Sequence, residues 1–425
     1  MTTHGIIPPQ PRMSASAHHI IVGSALIIVC LFAGPAALAA GSLDSLVRNA
    51  LNVSLAHLVR SVGENWDSTK YPSYGTKDLH WQLGRADEWT SGFYPGCLWY
   101  AYEISGDPRF ERWARAWTES LEPEKADTGT HDLGFKFMCS FGNGLRLGKG
   151  PSYAGYAPIM LSAAKTLSER YYPVVGALSS NWDSNPAGKS FPVIIDIMMN
   201  LDLLFWASEH GGPPSLKEIA IRHAETTCRD LVRADGGTYH IVRYDPETGR
   251  IINRGTLQGA GDETTWSRGQ AWGMYGMVSA YRHTRRELFL RTAMRLADYF
   301  LAHLPPDRVS LWDFQSDIRL KDVSATCITA SGLFELSRYV AGDSLRAHYR
   351  SEAEGILRSL CAAPFFTGGR NTSCLLDHSV QHYPAKKNID VASIFADYYF
   401  LEALLRYTTM DRADRMHEPA EGKGN

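Results

Sequence analysis

Cysteine is scarce in this 425-residue chain, with seven in all. No two of them form a CxxC pair or a zinc-ligand spacing, which excludes a cysteine-based zinc framework. A surplus of either charge is missing too. The 43 Lys and Arg against 45 Asp and Glu leave a formal net charge of -2, and the basic residues are spread throughout. That distribution excludes a nucleic-acid groove and a polybasic membrane surface. No other donor cluster points to a metal. Apolar and aromatic residues, by contrast, are plentiful. The chain is 44% hydrophobic and carries 11 Trp and 20 Tyr. It can bury a large core, and its length allows one large domain or two or three ordinary ones. Flat aromatic faces suit sugar rings, but they also fill ordinary cores.

The N-terminus carries the chain's clearest targeting signal. Ile20 to Ala40 reads IIVGSALIIVCLFAGPAALAA, an apolar run that breaks at Pro35 and ends in small residues. Ala37-Leu38-Ala39 fits a signal-peptidase site, which predicts a signal peptide over 1–40 and export of the mature chain. Retained, the same run is long enough to anchor the protein in a bilayer, and only then would a membrane be a partner. Cys30 lies within it. Six cysteines follow, and of these Cys361 and Cys374 flank a loop and could pair in an exported protein.

From residue 42 the pattern is helix after helix. Helices are expected at 43–62, 90–105, 107–121, 132–147, 155–172, 191–209, 214–234, 267–283, 285–303, 323–341, 343–362 and 388–409. Asp107–Leu121, Pro214–Arg233 and Gly342–Leu360 have one charged face, whereas Phe191–Trp206 and Ala325–Leu336 are apolar all round. One polar face marks an outer layer and all-round apolarity an inner one. Twelve such helices fit an all-α (α/α)6 toroid over 41–410, with a helical superhelix as the alternative. Thr238 to Asn253 breaks the pattern with a β-hairpin signal in an inter-helix loop. Residues 411–425 read as a polar tail.

Three places could carry chemistry. Asp196 sits inside the apolar run FPVIIDIMMNLDLLFW. There it is either a structural acid bonded to a neighbouring loop or a general acid with a raised pKa. Asp132, in HDLGF, is either the N-cap of the next helix or the second carboxylate that glycosidic chemistry requires. Arg268 and Trp272 are i,i+4 neighbours in WSRGQAWG; they either pack within the bundle or hold an anionic sugar, Arg268 on its carboxylate and Trp272 on its ring.

Taken in order, HDLGF, IIDIMMNLDLL, TYHIVRYDPETG, WSRGQAWGMYG, LWDF and VSATCITASGLFEL resemble glycoside hydrolase family 88, the unsaturated glucuronyl hydrolases. The resemblance spans about Trp89 to Arg406. Family 105, the unsaturated rhamnogalacturonyl hydrolases, is similar in fold but tends to have RGNGW where this chain has RGQAW. The family 88 resemblance implies an (α/α)6 barrel and no metal or organic cofactor. Its substrate would be a lyase-made oligosaccharide ending in a 4,5-unsaturated glucuronic acid. It implies Asp196 as general acid/base and Asp132 as the second essential carboxylate. His240, Gln258, Arg268 and Trp272 would line the sugar subsite, with Trp89 and Trp182 stacking on or shaping it. The alternatives are a family 105-like hydrolase and a non-catalytic carbohydrate-binding toroid.

Overall fold

The inner helices owe their place to composition. Every residue of Val323–Leu336 is buried, so this helix needs protein on all sides. Asp343–Leu360 instead buries the single stripe Tyr349, Ala353, Ile356, Leu357 and Leu360, the spacing of one helix face. The computed structural model describes residues 41–180 and 190–417, without the side chains of 411–417. The run at 20–40 and Trp182 therefore lie outside the described residues.

Six helices form a closed ring. They are Phe93–Ser105, the pair Leu133–Phe137 and Asn143–Leu147 joined by a π turn, Ile197–Glu209, Ser267–Thr284, Val323–Leu336 and Ile394–His417. The last packs back onto the first: Tyr100 Oη donates to Tyr398 Oη at 3.1 Å. The Phe93 and Tyr398 rings meet at 5.4 Å. This closure excludes an open superhelix and makes the fold an (α/α)6 toroid. Leu43–Glu64, Pro108–Glu119, Tyr156–Ser168, Ser215–Asp230, Glu287–Ala302 and Asp343–Leu360 form the outer layer.

All twelve expected helices are present, with four departures in detail. Phe191–Ile194 is a strand, and the helix begins only at Ile197. That strand adds to the expected hairpin, giving a three-stranded antiparallel sheet with Ile241–Tyr244 in the centre and Ile251–Gly255 beyond. Lys387–Val391 is likewise a strand, paired with Ser379–His382, and precedes the last inner helix. That helix continues to His417, past the point where a polar tail was expected. Finally, Cys361 and Cys374 are buried free thiols, so the pairing open to them in an exported protein does not form. Cys374 Sγ instead lies 3.3 Å from the Leu79 carbonyl oxygen.

Candidate active site

The inner helices all start at one end of the toroid, where the β-hairpins gather, and the sheet brings the key side chains together there. Ile194 pairs with Ile241, and the Ile195 N–H donates to the His240 carbonyl at 3.0 Å. The next side chain is Asp196. Its Oδ2 lies 3.6 Å from His240 Nε2. Asp196 stands at the N-cap position of Ile197–Glu209 but makes no side-chain cap bond. Its Oδ2 is buried and has no hydrogen-bond partner in the protein, and neither has His240 Nε2. A structural acid would be satisfied; this one is not. Burial, reinforced by the nearby Asp132 carboxylate, pushes Asp196 up from 3.8 to about 7 against the pull of Arg268.

His240 is held neutral in one tautomer. The backbone N–H groups of Leu257 and Gln258 both donate to its Nδ1, each at 3.2 Å. The single ring proton is therefore on Nε2, facing Asp196. Burial and then the charge of Arg268 push His240 down to about 3. The ring stacks on Trp266 with centroids 4.4 Å apart.

Asp132 is not a helix cap either, since its side chain makes no cap bond to Leu133–Phe137. Asn200 does that work. Its Oδ1 accepts the Phe135 N–H at 2.9 Å while its Nδ2 donates to Asp132 Oδ1 at 3.1 Å. The other carboxylate oxygen lies 3.4 Å from His131 Nε2. Gly134 permits this approach, because a Cβ there would stand 2.4 Å from the Asn200 Cα.

Arg268 is present but engaged. Nη1 donates to Asp322 Oδ2 at 2.7 Å and to the Val380 carbonyl at 2.6 Å. Nη2 donates to Gln258 Oε1 at 2.8 Å and to the Gln381 carbonyl at 2.7 Å. Its four terminal N–H bonds are thus spent on Asp322, on the strand Ser379–His382 and on the loop that carries Gln258, which corrects the expectation of a guanidinium open to a sugar carboxylate. The expected pairing with Trp272 is corrected as well. The guanidinium lies over Trp266, 4.5 Å from the ring centroid, and over Phe395 at 5.4 Å. Trp272 is 1% exposed and packs on Phe135 and Tyr399, so no sugar reaches its face in this conformation. Trp89 is half-buried against Phe93, Phe135 and Phe395 at the same end. Gln258 is half-buried in the loop that fixes His240.

Sequence reasoning gave no role to Asn200, Asp322, Trp266 or Asp313. Asp313, within the LWDF motif, accepts from the Ala260 N–H at 2.9 Å and from Thr264 Oγ1 at 2.6 Å, so it ties down the loop that carries Gln258. Asn200 had a legible signal, lying one helical turn after Asp196. Asp322 had none, because its partner is 54 residues away.

A carboxyl group with a buried, unpartnered oxygen, pushed up to about 7 beside a neutral imidazole and a second carboxylate, has the arrangement general acid/base chemistry needs. No family model matches the chain. Among curated proteins it is 39% identical over 326 residues to the unsaturated glucuronyl hydrolase of Formosa agariphila, covering 75% of this chain and 80% of that protein. The chain belongs to the unsaturated glucuronyl hydrolases. It is 32% identical over 373 residues to the unsaturated chondroitin disaccharide hydrolase of Streptococcus pyogenes, covering 86% of this chain and 92% of that one. The solved structure of an unsaturated glucuronyl hydrolase specific for heparin superposes with a TM-score of 0.81 at 34% identity, over 87% of this chain and 98% of that one. As an unsaturated glucuronyl hydrolase, the protein is a glycoside hydrolase.

Proposed function

We propose that this protein, a family 88 glycoside hydrolase, removes the 4,5-unsaturated glucuronic acid at the non-reducing end of glycosaminoglycan-type oligosaccharides left by polysaccharide lyases. Relatives named for unsaturated glucuronyl, chondroitin disaccharide and heparin substrates support the substrate class. One observation carries the chemistry: the buried, unpartnered Oδ2 of Asp196, on a carboxyl group that keeps its proton to about pH 7.

The substrate ring holds a vinyl ether, C4=C5 with the ring oxygen on C5. Asp196 gives its proton to C4, and positive charge spreads between C5 and the ring oxygen. The ionised Asp196 then takes a proton from water as the water oxygen bonds to C5, giving a hemiketal. Opening of the C5–ring-oxygen bond forms a C5 ketone and leaves a hemiacetal at C1, which releases the second sugar as an alcohol. One residue serves as acid and then as base because the first step leaves it ionised beside the water. Asp132 raises the proton affinity of Asp196 and stabilises the cation by its charge. The Nε2–H of His240 steadies the ionised Asp196. Trp89, Gln258 and Trp182 shape the sugar subsite, and Arg268 acts through the strand and loop it holds. The enzyme reaches its substrate by export, with residues 20–40 as the signal or, if retained, the anchor.

Incubation with unsaturated chondroitin, hyaluronan, heparin and rhamnogalacturonan disaccharides, followed by the ultraviolet absorbance of the double bond, tests this reading. Loss of absorbance with the glucuronic-acid disaccharides supports it. No loss with any of them overturns the hydration chemistry, and loss with rhamnogalacturonan alone overturns the substrate class. Detection of the protein with its N-terminus near Ala40 outside the cytoplasm supports export, and an intact N-terminus in the cytoplasm overturns it.

A further inference from the structure

Asn200 joins the two carboxylates, and nothing in the hydration chemistry assigns it a task. It lies one helical turn after Asp196 on Ile197–Glu209 and is fully buried. Its side chain spans to the neighbouring inner helix, where it donates to Asp132 Oδ1 at 3.1 Å and accepts the Phe135 N–H at 2.9 Å. The second bond orients the first. With the amide oxygen committed to a backbone N–H, only the NH₂ group can face Asp132, and an NH₂ group bonds a carboxylate better than a carboxylic acid.

We infer that Asn200 is a positioning residue of the hydration reaction: its side-chain amide holds the Asp132 carboxylate where its charge bears on Asp196, so that Asp132 in turn keeps the proton on Asp196. The inference rests on the function proposed above. The groups facing Asp132 are His131 Nε2 at 3.4 Å, the Asn200 amide, and the charges of Asp196 and Arg170. Those facing Asp196 are Asp132, Arg268 and His240. His131 is pushed down by burial, and Asp132 only partly offsets this. The Asn200 amide makes the closer contact with the Asp132 carboxylate, 3.1 Å against 3.4 Å for His131 Nε2.

The test compares wild type with Asn200→Ala and Asn200→Leu, using the full chain and an unsaturated chondroitin disaccharide. In Asn200→Ala, kcat falls at least about tenfold, and the alkaline limb of kcat/KM, set by Asp196, moves down by about one pH unit because the Asp132 charge is no longer held beside it. A purely structural role would lower kcat and melting temperature without moving the alkaline limb, and that result overturns the inference. Should Asn200→Ala fail to fold, Asn200→Leu decides, because it fills the same space and makes neither bond. Its alkaline limb moves down, and an unmoved limb overturns the inference.

A ¹³C titration of the aspartate carboxyl groups in the free protein, assigned with Asp196→Asn, separates this inference from the substrate reading. If wild type fails to turn over any unsaturated disaccharide, the function proposed above fails. The titration still decides Asn200, by whether Asp196 loses its proton at lower pH in the variants.

Discussion

Helix Ile197–Glu209 carries two carboxylates, one at its start and one near its middle. Asp196, at its start, is pushed up to about 7 by burial and by Asp132. Asp202, six residues on, is half-buried, and desolvation again opposes its charge. Arg282 and His283 override that and hold it well below the ordinary range. Arg282 Nη2 and His283 Nε2 both lie 2.7 Å from Asp202 Oδ1, and Arg282 also meets Glu335 at 2.7 Å. Asp202 lines a cavity of about 550 Å³ together with Arg282, Tyr275 and Glu402. There Asp202 is satisfied by Arg282, His283 and Ser279, whereas at the hairpin end Asp196 Oδ2 and His240 Nε2 are left without partners. Burial makes a carboxylate costly in both places, and only the partners decide whether it becomes a structural ion or a proton donor.

The comparison breaks most sharply at Asp196. Asp196→Asn is expected to lower kcat by about 10³-fold, within the range for a general acid/base, in a steady-state assay on an unsaturated disaccharide. The same variant should be more stable than wild type at alkaline pH. Folded Asp196 holds its proton to about pH 7 against 3.8 ordinarily, so the folded state binds more protons across that window and loses stability as pH rises through it. The advantage of Asn therefore grows from about pH 4 to 7 and levels off near an upper bound of about 4 kcal/mol. Denaturant melts at pH 5 and pH 8 measure it, and equal advantages at both would refute the assignment.

Asp202→Asn should do the reverse. Stripping one partner from a buried network costs roughly 3 kcal/mol of stability, while kcat per folded molecule stays near wild type. Because the folded Asp202 pKa is depressed, that stabilisation is present above the ordinary carboxylate range and is lost as pH falls. The gap between variant and wild type should thus close in acid, which melts across pH can follow.

The pH–rate profile of the unmodified enzyme sharpens the comparison next. Its kcat/KM should fall tenfold per unit above about pH 7, as Asp196 loses its proton. Asp202→Asn should leave that limb unmoved. The smallest effects separate the two tryptophans. Trp272→Phe should cost about 1–3 kcal/mol of stability as a core substitution with KM unchanged, whereas Trp89→Phe should raise KM with little change in melting temperature.

The twelve helices and their two layers were legible because all-round apolarity and one-faced apolarity differ along the sequence itself, as Val323–Leu336 and Asp343–Leu360 illustrate. The start of the Asp196 helix was not. An apolar run reads alike as a buried strand or a buried helix, and only Pro192 and the branched Val193 and Ile194 favoured the strand. That misreading hid the reason Asp196 meets His240, which is strand pairing rather than helix spacing. Arg268 shows the same limit from another side. Its i,i+4 relation to Trp272 correctly places both on one inner helix, but Asp322, Trp266 and two carbonyls of the strand Ser379–His382 claim the guanidinium.

By itself, then, the sequence determined a layered toroid of helices and the two carboxylates, because apolar periodicity and motif order are local properties of the chain. The tertiary structure decided what those carboxylates are. The protonation of Asp196, the tautomer of His240 and the setting of Asp132 by Asn200 each depend on groups that folding brings together from distant segments. Electrostatic and hydrogen-bond energies follow separation in space and local burial, which no spacing along the chain records.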